Sequence, residues 1–470
     1  MTCRKMWWTF GPIMPEESVT FVNMKINRSN ILLLLLIIGE IIAILLFGMM
    51  VVRQKRENSQ LRQEAREMEN EIREFQNELQ SEKPEAEDVM ETNAKDQISP
   101  ETQNSESEQA VEGLQEGKSV KSPEKELLNR MTAEEKTAQL FYITPDALCG
   151  VSGATRAGDT LKQSYEQYPV GGLIFFGNNI VSEGQIREMT SGLRETGINR
   201  IGVSPFLGID EEGGTVTRIA GKEGFPVEDV GDMYLIGETG DAGKAREAGS
   251  TLGAYLSGYG FDMDFAPDAD VLVNPGNTVV SRRSFGADPL VVSEMVAEEI
   301  RGLQAQGVWG VLKHFPGHGA TEEDSHEGFA YSDRTLEELR QCEFLPFRAG
   351  IEAGARAVMV GHISLPQITG DGTPAVLSEA VMNQMLRQEL RFQGIIITDA
   401  LNMGAITENY TTEDAAVQAI LAGADMLLMP ADFQKAYQAV LNAVNDGRIT
   451  RERLDESVLR ILKVKCSEDL

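Results

Sequence analysis

Along residues 125–466, short apolar runs alternate with stretches whose apolar positions recur at helical spacing. The runs at 137–143, 171–176, 206–209, 261–266, 310–312, 357–360, 394–398 and 426–429 read as strands, being short, apolar and bounded by turn-forming residues. Helical patterns at 182–194, 291–306, 336–353, 381–391 and 414–422 lie between them, and one more, at 451–463, follows the last run. Strands that are apolar on both faces and joined through helices belong in a parallel sheet covered on both sides. Eight of them predict an α/β fold, a (β/α)8 TIM-like barrel. Strand count alone does not separate a barrel from an open sheet; the placement of polar residues helps. Asp210-Glu211-Glu212, Asp268 with Asp270, Lys313-His314, His362 and Asp399 each follow an apolar run. In a barrel those strand ends meet at one mouth.

The pattern upstream is different. Residues 31–52 are almost wholly apolar, with Glu40 as the one charge, and are long enough to span a bilayer. No small-residue cleavage site follows, so a membrane anchor is expected rather than a signal peptide. The segment 1–30 precedes it, and Met24 is an alternative start. Over 53–82, Leu61, Ala65, Met68, Ile72, Phe75 and Leu79 follow a coiled-coil rhythm, so a helical stalk is expected, with a homodimer through it as one outcome. Residues 83–124 hold eleven acidic and four basic residues and no apolar cluster, which predicts a disordered acidic linker. Basic residues after the span (Arg53, Lys55, Arg56) place the C-terminal bulk inside by the positive-inside rule, whereas the anchor-and-linker design suits an extracytoplasmic barrel. The latter is the expectation adopted.

Composition narrows the function. A net charge of −30 argues against nucleic acid as partner. The four cysteines are far apart, so neither a thiolate zinc site nor a disulfide framework is indicated. Of four histidines, His314, His318 and His326 fall within KHFPGHGATEEDSHEG, residues 313–328. His314 and His318 have metal-ligand spacing, but the Pro-Gly between them is hostile to a helix and Lys313 disfavours a cation, so no metal is expected. Asp399 directly follows an apolar strand and is a candidate nucleophile, with helix capping as the alternative. Asp324, two residues from His326, could orient that imidazole for proton transfer. A structural ion pair at the barrel rim is the alternative reading for Asp210 and Lys313.

IDEEGG, RRSFGADP, KHFPGHG followed by DSH, and ITDAL occur in an order that resembles the family 3 glycoside hydrolases, most of all their bacterial β-N-acetylhexosaminidases. The resemblance runs from about residue 127 to 465. It implies a retaining hydrolase that removes terminal β-linked N-acetylglucosamine from peptidoglycan fragments or related glycans through a covalent glycosyl-enzyme. On it, Asp399 is the nucleophile, His326 the acid/base with Asp324 as dyad partner, and Asp210, Arg218, Arg283, Lys313 and His314 bind the sugar. No cofactor is implied. Two departures stand out: Thr215 replaces a common arginine after the paired glycines, and the chain ends soon after residue 463, leaving no room for the second domain that carries the acid/base in many relatives. The acid/base is therefore expected on the barrel's own loop. A β-glucosidase or β-xylosidase, a phosphorylase, and an inactive glycan-binding barrel are the alternatives.

Overall fold

A computed structural model describes residues 122–321 and 330–467. Its strands are β1 (Phe141–Ile143), β2 (Gly172–Phe175), β3 (Phe206–Ile209), β4 (Met263–Asp264), β5 (Trp309–Phe315), β6 (Ala330–Tyr331), β7 (Ala357–Val360), β8 (Ile363–Ser364), β9 (Ile395–Thr398) and β10 (Leu427–Leu428). Eight form one sheet in the order β10-β1-β2-β3-β4-β5-β7-β9, with every pairing parallel. The sheet closes because Ile397 bridges Met426 and the Thr398 N–H donates to the Met426 carbonyl at 3.0 Å. The result is the expected barrel with helices outside it. β6 and β8 pair separately, in the loops beyond β5 and β7.

Barrel strands are buried along their whole length because helices cover one face and the barrel interior the other. The interior is filled by large rings set against missing side chains. Tyr142 on β1 is fully buried and meets Phe265 edge-on, ring centroids 5.3 Å apart. A Cβ on Gly172 would come within 2.5 Å of that tyrosine ring, and one on Gly208 within 2.1 Å of its hydroxyl. These glycines are therefore where the ring fits. On the outside, Ser182, Thr335, Thr411 and Thr450 each accept a backbone N–H and start the helices Glu183–Ile201, Leu336–Gln341, Thr412–Ala422 and Arg451–Lys465.

Several expected boundaries move. The run 137–143 is not one strand: Thr132 and Glu135 form a capping box that carries the helix Ala133–Gln139 across its first half. The run 261–266 reduces to β4, and 336–353 splits at Cys342-Glu343 into Leu336–Gln341 and Phe344–Glu352. β5 extends beyond 310–312 through Lys313 and His314. The helix Pro123–Arg130 begins inside the expected linker 83–124. The anchor, the stalk, the rest of the linker, and Asp324 and His326 lie outside the described residues. Among the described residues no helix is long and apolar enough to cross a membrane.

Candidate active site

At the C-terminal ends of the strands a cavity of about 350 Å³ is lined by Asp210, Arg218, Arg283, Lys313, His314 and Asp399, among others. Six of the eight residues expected at the site thus share one pocket. Its remaining walls are mostly apolar: Ile174, Phe176, Val216, Met359, Met403 and Leu428 contribute.

The hub of the polar wall is Glu212, which is only 2% exposed. Its carboxylate accepts from the Arg283 guanidinium at 2.7 and 2.8 Å and pairs with Lys313 Nζ at 2.5 Å. Lys313 also reaches Asp210 at 3.2 Å, and Arg218 reaches the other Asp210 oxygen at 3.4 Å. Burial alone would raise the pKa of Glu212, but Arg283 and Lys313 outweigh it and hold the carboxyl far below its usual range. The same pairing acts in reverse on the cations. Burial disfavours charge on Lys313 and Arg283, and the neighbouring carboxylates override it and raise both. Asp210 and Lys313 do form an ion pair, and both still face the cavity.

Local structure explains how Arg218 gets there. Glu211 turns away from the cavity and accepts the backbone N–H groups of Arg218 (2.6 Å), Ile219 (3.0 Å) and Ala220 (2.8 Å), together with the Tyr255 hydroxyl (3.0 Å). That nest folds residues 213–220 back over the end of β3. The paired glycines make the return: both have positive φ, and a Cβ on Gly214 would lie 2.2 Å from Asp232. Arg283 rather than Arg282 faces the pocket; Arg282 pairs with Asp232, and two-thirds of its side chain is exposed.

Lys313 and His314 are adjacent in β5, yet both line the cavity, where the β5–β7 register is broken between Leu312 and Phe315 and the peptide joining them is cis. The His314 Nδ1–H donates to Asp270 at 2.8 Å, leaving Nε2 to accept from Arg283 at 3.3 Å. Burial, reinforced by Arg283, lowers its pKa to about 4, so His314 is a neutral ring of defined tautomer. His318, buried in the turn after β5, donates its backbone N–H to the other Asp270 oxygen at 2.5 Å. Asp270 therefore ties the histidine ring to the Pro-Gly turn.

Asp399 follows β9, with its backbone N–H on the Val360 carbonyl at 2.8 Å and its Oδ1 accepting from Ala400 N–H at 2.7 Å. It has no ion pair among the described residues. Burial would raise its pKa; His362, His314, the Ala400 N–H and Lys313 together bring it below the ordinary aspartate value. His362 is itself fixed by donating from Nε2 to the Ala400 carbonyl at 2.9 Å. The contact to Ala400 is to the adjacent residue, not to an N–H two or three positions on as a helix cap requires, and the helix Gly404–Thr407 starts from Met403 instead.

Among the described residues, Asp268, Asp270 and His314 place ligand-type atoms within 4.8 Å of one another. The group is already used: Asp268 accepts from the Asp270 N–H at 3.0 Å, Asp270 serves both histidines, and the Arg283 guanidinium lies 3.5 Å from Asp268. That donor set suits a guanidinium better than a metal ion. Glu212, Asp268, Asp270 and Glu211 were missing from the sequence-based site. Their only signal was position, immediately after apolar runs.

The profile of the Glycosyl hydrolase family 3 N terminal domain matches residues 132–464, most of the chain. The chain belongs to glycoside hydrolase family 3. A beta-hexosaminidase A from Pseudoalteromonas piscicida is 34% identical over 375 residues, 71% of this chain and 61% of that protein. A beta-hexosaminidase from Stenotrophomonas maltophilia is 34% identical over 287 residues, 60% of this chain and 82% of the relative. Among solved structures, a family 3 beta-N-acetylglucosaminidase from Paenibacillus superimposes with a TM-score of 0.67 at 37% identity, covering 71% of this chain and 62% of that one. This family 3 chain thus spans only about three-fifths of two of these relatives.

Proposed function

We propose that this family 3 protein is a retaining exo-β-N-acetylglucosaminidase acting on peptidoglycan fragments or related oligosaccharides. The observation that carries the reading is the opposition, across one cavity, of Asp399, whose pKa is lowered and which has no ion pair among the described residues, to the Asp210–Lys313–Glu212–Arg283 network. A nucleophile must be charged and free to attack; hydroxyl-binding groups must be charged and held still. Relatives described as beta-hexosaminidases and a beta-N-acetylglucosaminidase support the choice of sugar.

In this mechanism Asp399 attacks the anomeric carbon and the bond to the leaving oxygen breaks as His326 protonates that oxygen. His326, paired with Asp324, then deprotonates a water that attacks the same carbon and releases Asp399. Asp210, Arg218, Arg283, Lys313 and His314 hold the sugar hydroxyls; the apolar wall receives the ring face and acetamido methyl. Asp399→Ala should abolish release of p-nitrophenol from the aryl N-acetyl-β-glucosaminide. Normal turnover by that variant ends the proposal. An aryl glucoside and xyloside compared side by side test the neighbouring specificities, and formation of sugar 1-phosphate in phosphate buffer tests phosphorolysis.

The N-terminal region completes the proposal: residues 31–52 anchor the chain in a membrane, 53–82 form a stalk able to pair two copies, and the catalytic barrel works on the extracytoplasmic side. Protease accessibility of the barrel in intact cells checks this. Protection from protease until the cells are lysed would place the barrel inside.

A further inference from the structure

The opposite end of the barrel carries a second cavity, of about 510 Å³, bounded by the residues that precede β7 and β9 and by the C-terminal helix Arg451–Lys465. Arg356, Arg391, Arg460 and Lys463 line it, in a chain whose net charge is −30. Cations gathered in one concavity of so acidic a protein are not what surface composition would place there by chance.

The charge behind this cavity is also unbalanced. Arg387, Arg453 and Arg460 converge on a single carboxylate, Asp425, which is fully buried. Asp425 is further committed to the Ile396 N–H at 2.9 Å and the Ser457 hydroxyl at 2.6 Å. Among the described residues, three guanidiniums face one buried carboxylate, an excess of positive charge inside the wall. Glu456, mostly exposed and 4.0 Å from Arg460, compensates through solvent only weakly. Burial, together with mutual repulsion among these arginines, lowers the pKa of both Arg387 and Arg453. One of the cavity's cations is also held at a backbone cost: Arg391 has φ 55°, the left-handed conformation that glycine adopts freely after a helix. A long cationic side chain kept where glycine would fit better points to a use for that side chain.

We infer that this cavity is an anion site for a phosphate-bearing compound. Guanidiniums and an ammonium converging on a small concavity suit a multiply charged tetrahedral anion, which they can grip with paired N–H groups. A single carboxylate would answer too little of the excess. The site lies beyond the N-terminal ends of β7 and β9, whereas His362 and Asp399 follow their C-terminal ends, so ligand here does not occupy the sugar pocket.

The test is isothermal titration calorimetry of the full chain with inorganic pyrophosphate and, separately, with glycerophosphoglycerol, the deacylated form of a phosphodiester lipid headgroup. Two variants accompany it, Arg391→Gly and Lys463→Glu. Arg391→Gly suits the existing backbone and should fold at least as well as the parent. We expect one pyrophosphate per chain, affinity at least tenfold weaker in each variant, and unchanged glycosidase turnover. Binding of both probes, lost in the same variants, would support the site and point to a headgroup or polymer as a further source, whereas binding of the singly charged phosphodiester alone would overturn the inference of a multiply charged anion. Absence of binding by both probes overturns the inference. So does equal binding by parent and variants, which would place the anion elsewhere, as at Lys313 and Arg283.

Discussion

Replacing Glu212 with Gln removes one charge from the centre of the polar wall while keeping its shape. At an effective dielectric of ~20, the attraction between Glu212 and Lys313 at 2.5 Å is worth roughly 6–7 kcal/mol before desolvation is counted. Most of that repays the burial of three charges, and the measurable cost is that of leaving cations without their partner. Breaking a buried pair in this way costs about 3–5 kcal/mol. Gln retains a carbonyl that can still accept from Arg283, so Glu212→Gln belongs at the lower end, about 3 kcal/mol. Urea unfolding followed by tryptophan fluorescence, to which Trp309, buried on the same strand as Lys313, contributes, gives that number. The kcat/KM for the aryl N-acetyl-β-glucosaminide should fall at least 100-fold, because Lys313 and Arg283 lose the group that fixes them.

A double variant makes the reasoning sharper. If the cost comes from an orphaned ammonium, Glu212→Gln combined with Lys313→Met should be less destabilising than the sum of the two single changes, by about 1 kcal/mol or more. Strict additivity of the two, or a loss under about 1 kcal/mol for Glu212→Gln with turnover intact, would refute the account of Glu212 as the hub.

Other outcomes follow from the same geometry. Arg283→Ala should cost turnover at least 100-fold, whereas Arg282→Ala, next to it but outside the cavity, should leave kcat/KM within about threefold; aryl-glycoside kinetics on the two proteins decides. His314 is neutral in the fold, with its pKa lowered from 6.5 to about 4, so the unfolded chain takes the proton first as pH falls. Its contribution is complete above pH 6.5 and declines by ~3 kcal/mol on the way down to pH 4. The stability difference between the parent and His314→Gln should narrow by that much between pH 7 and 4, and a difference constant with pH would contradict it. Gly208→Ala would put a methyl 2.1 Å from the Tyr142 hydroxyl and should destabilise the barrel by about 1–3 kcal/mol in urea unfolding.

Burial on both faces made the strands legible. The runs 206–209 and 357–360 coincide with β3 and β7. Where the pattern misled, a local polar signal had competed with it: the Thr132–Glu135 capping box pulled residues 133–139 into a helix although their apolar content continued into β1. The apolar run stops at 312 and Lys313-His314 follow it, before a Pro-Gly turn; in the fold both lie within β5, buried and facing carboxylates. The residues that line the cavity were reachable from motif and strand-end position. For the residues that hold them, Glu212, Asp268 and Asp270 among them, position after an apolar run gave no role. Nothing in the string DEEGG distinguishes Glu212, which pairs across the pocket, from Glu211, which turns back to three backbone N–H groups. That choice is made by the glycines after them and by what β4 and β5 bring opposite.

The division of charge around the pocket has a consequence for how one carboxylate is left to react. The acids after β3 and β4 are consumed: Asp210 and Glu212 neutralise cations, and Asp268 and Asp270 serve Arg283, His314 and the turn at His318. Burial still raises the pKa of Asp268 and Asp270, as it does those of Asp264 and Glu299, which have no cation within ion-pair distance among the described residues. Asp399 is in neither class. Among the described residues it has no ion pair, yet its pKa is lowered: His362 foremost, His314 where that ring is protonated, the Ala400 N–H and Lys313 outweigh its burial. A carboxylate supported by several distant or partial charges, rather than one close partner, keeps its charge and its reach, which is the condition a nucleophile in a buried pocket has to meet.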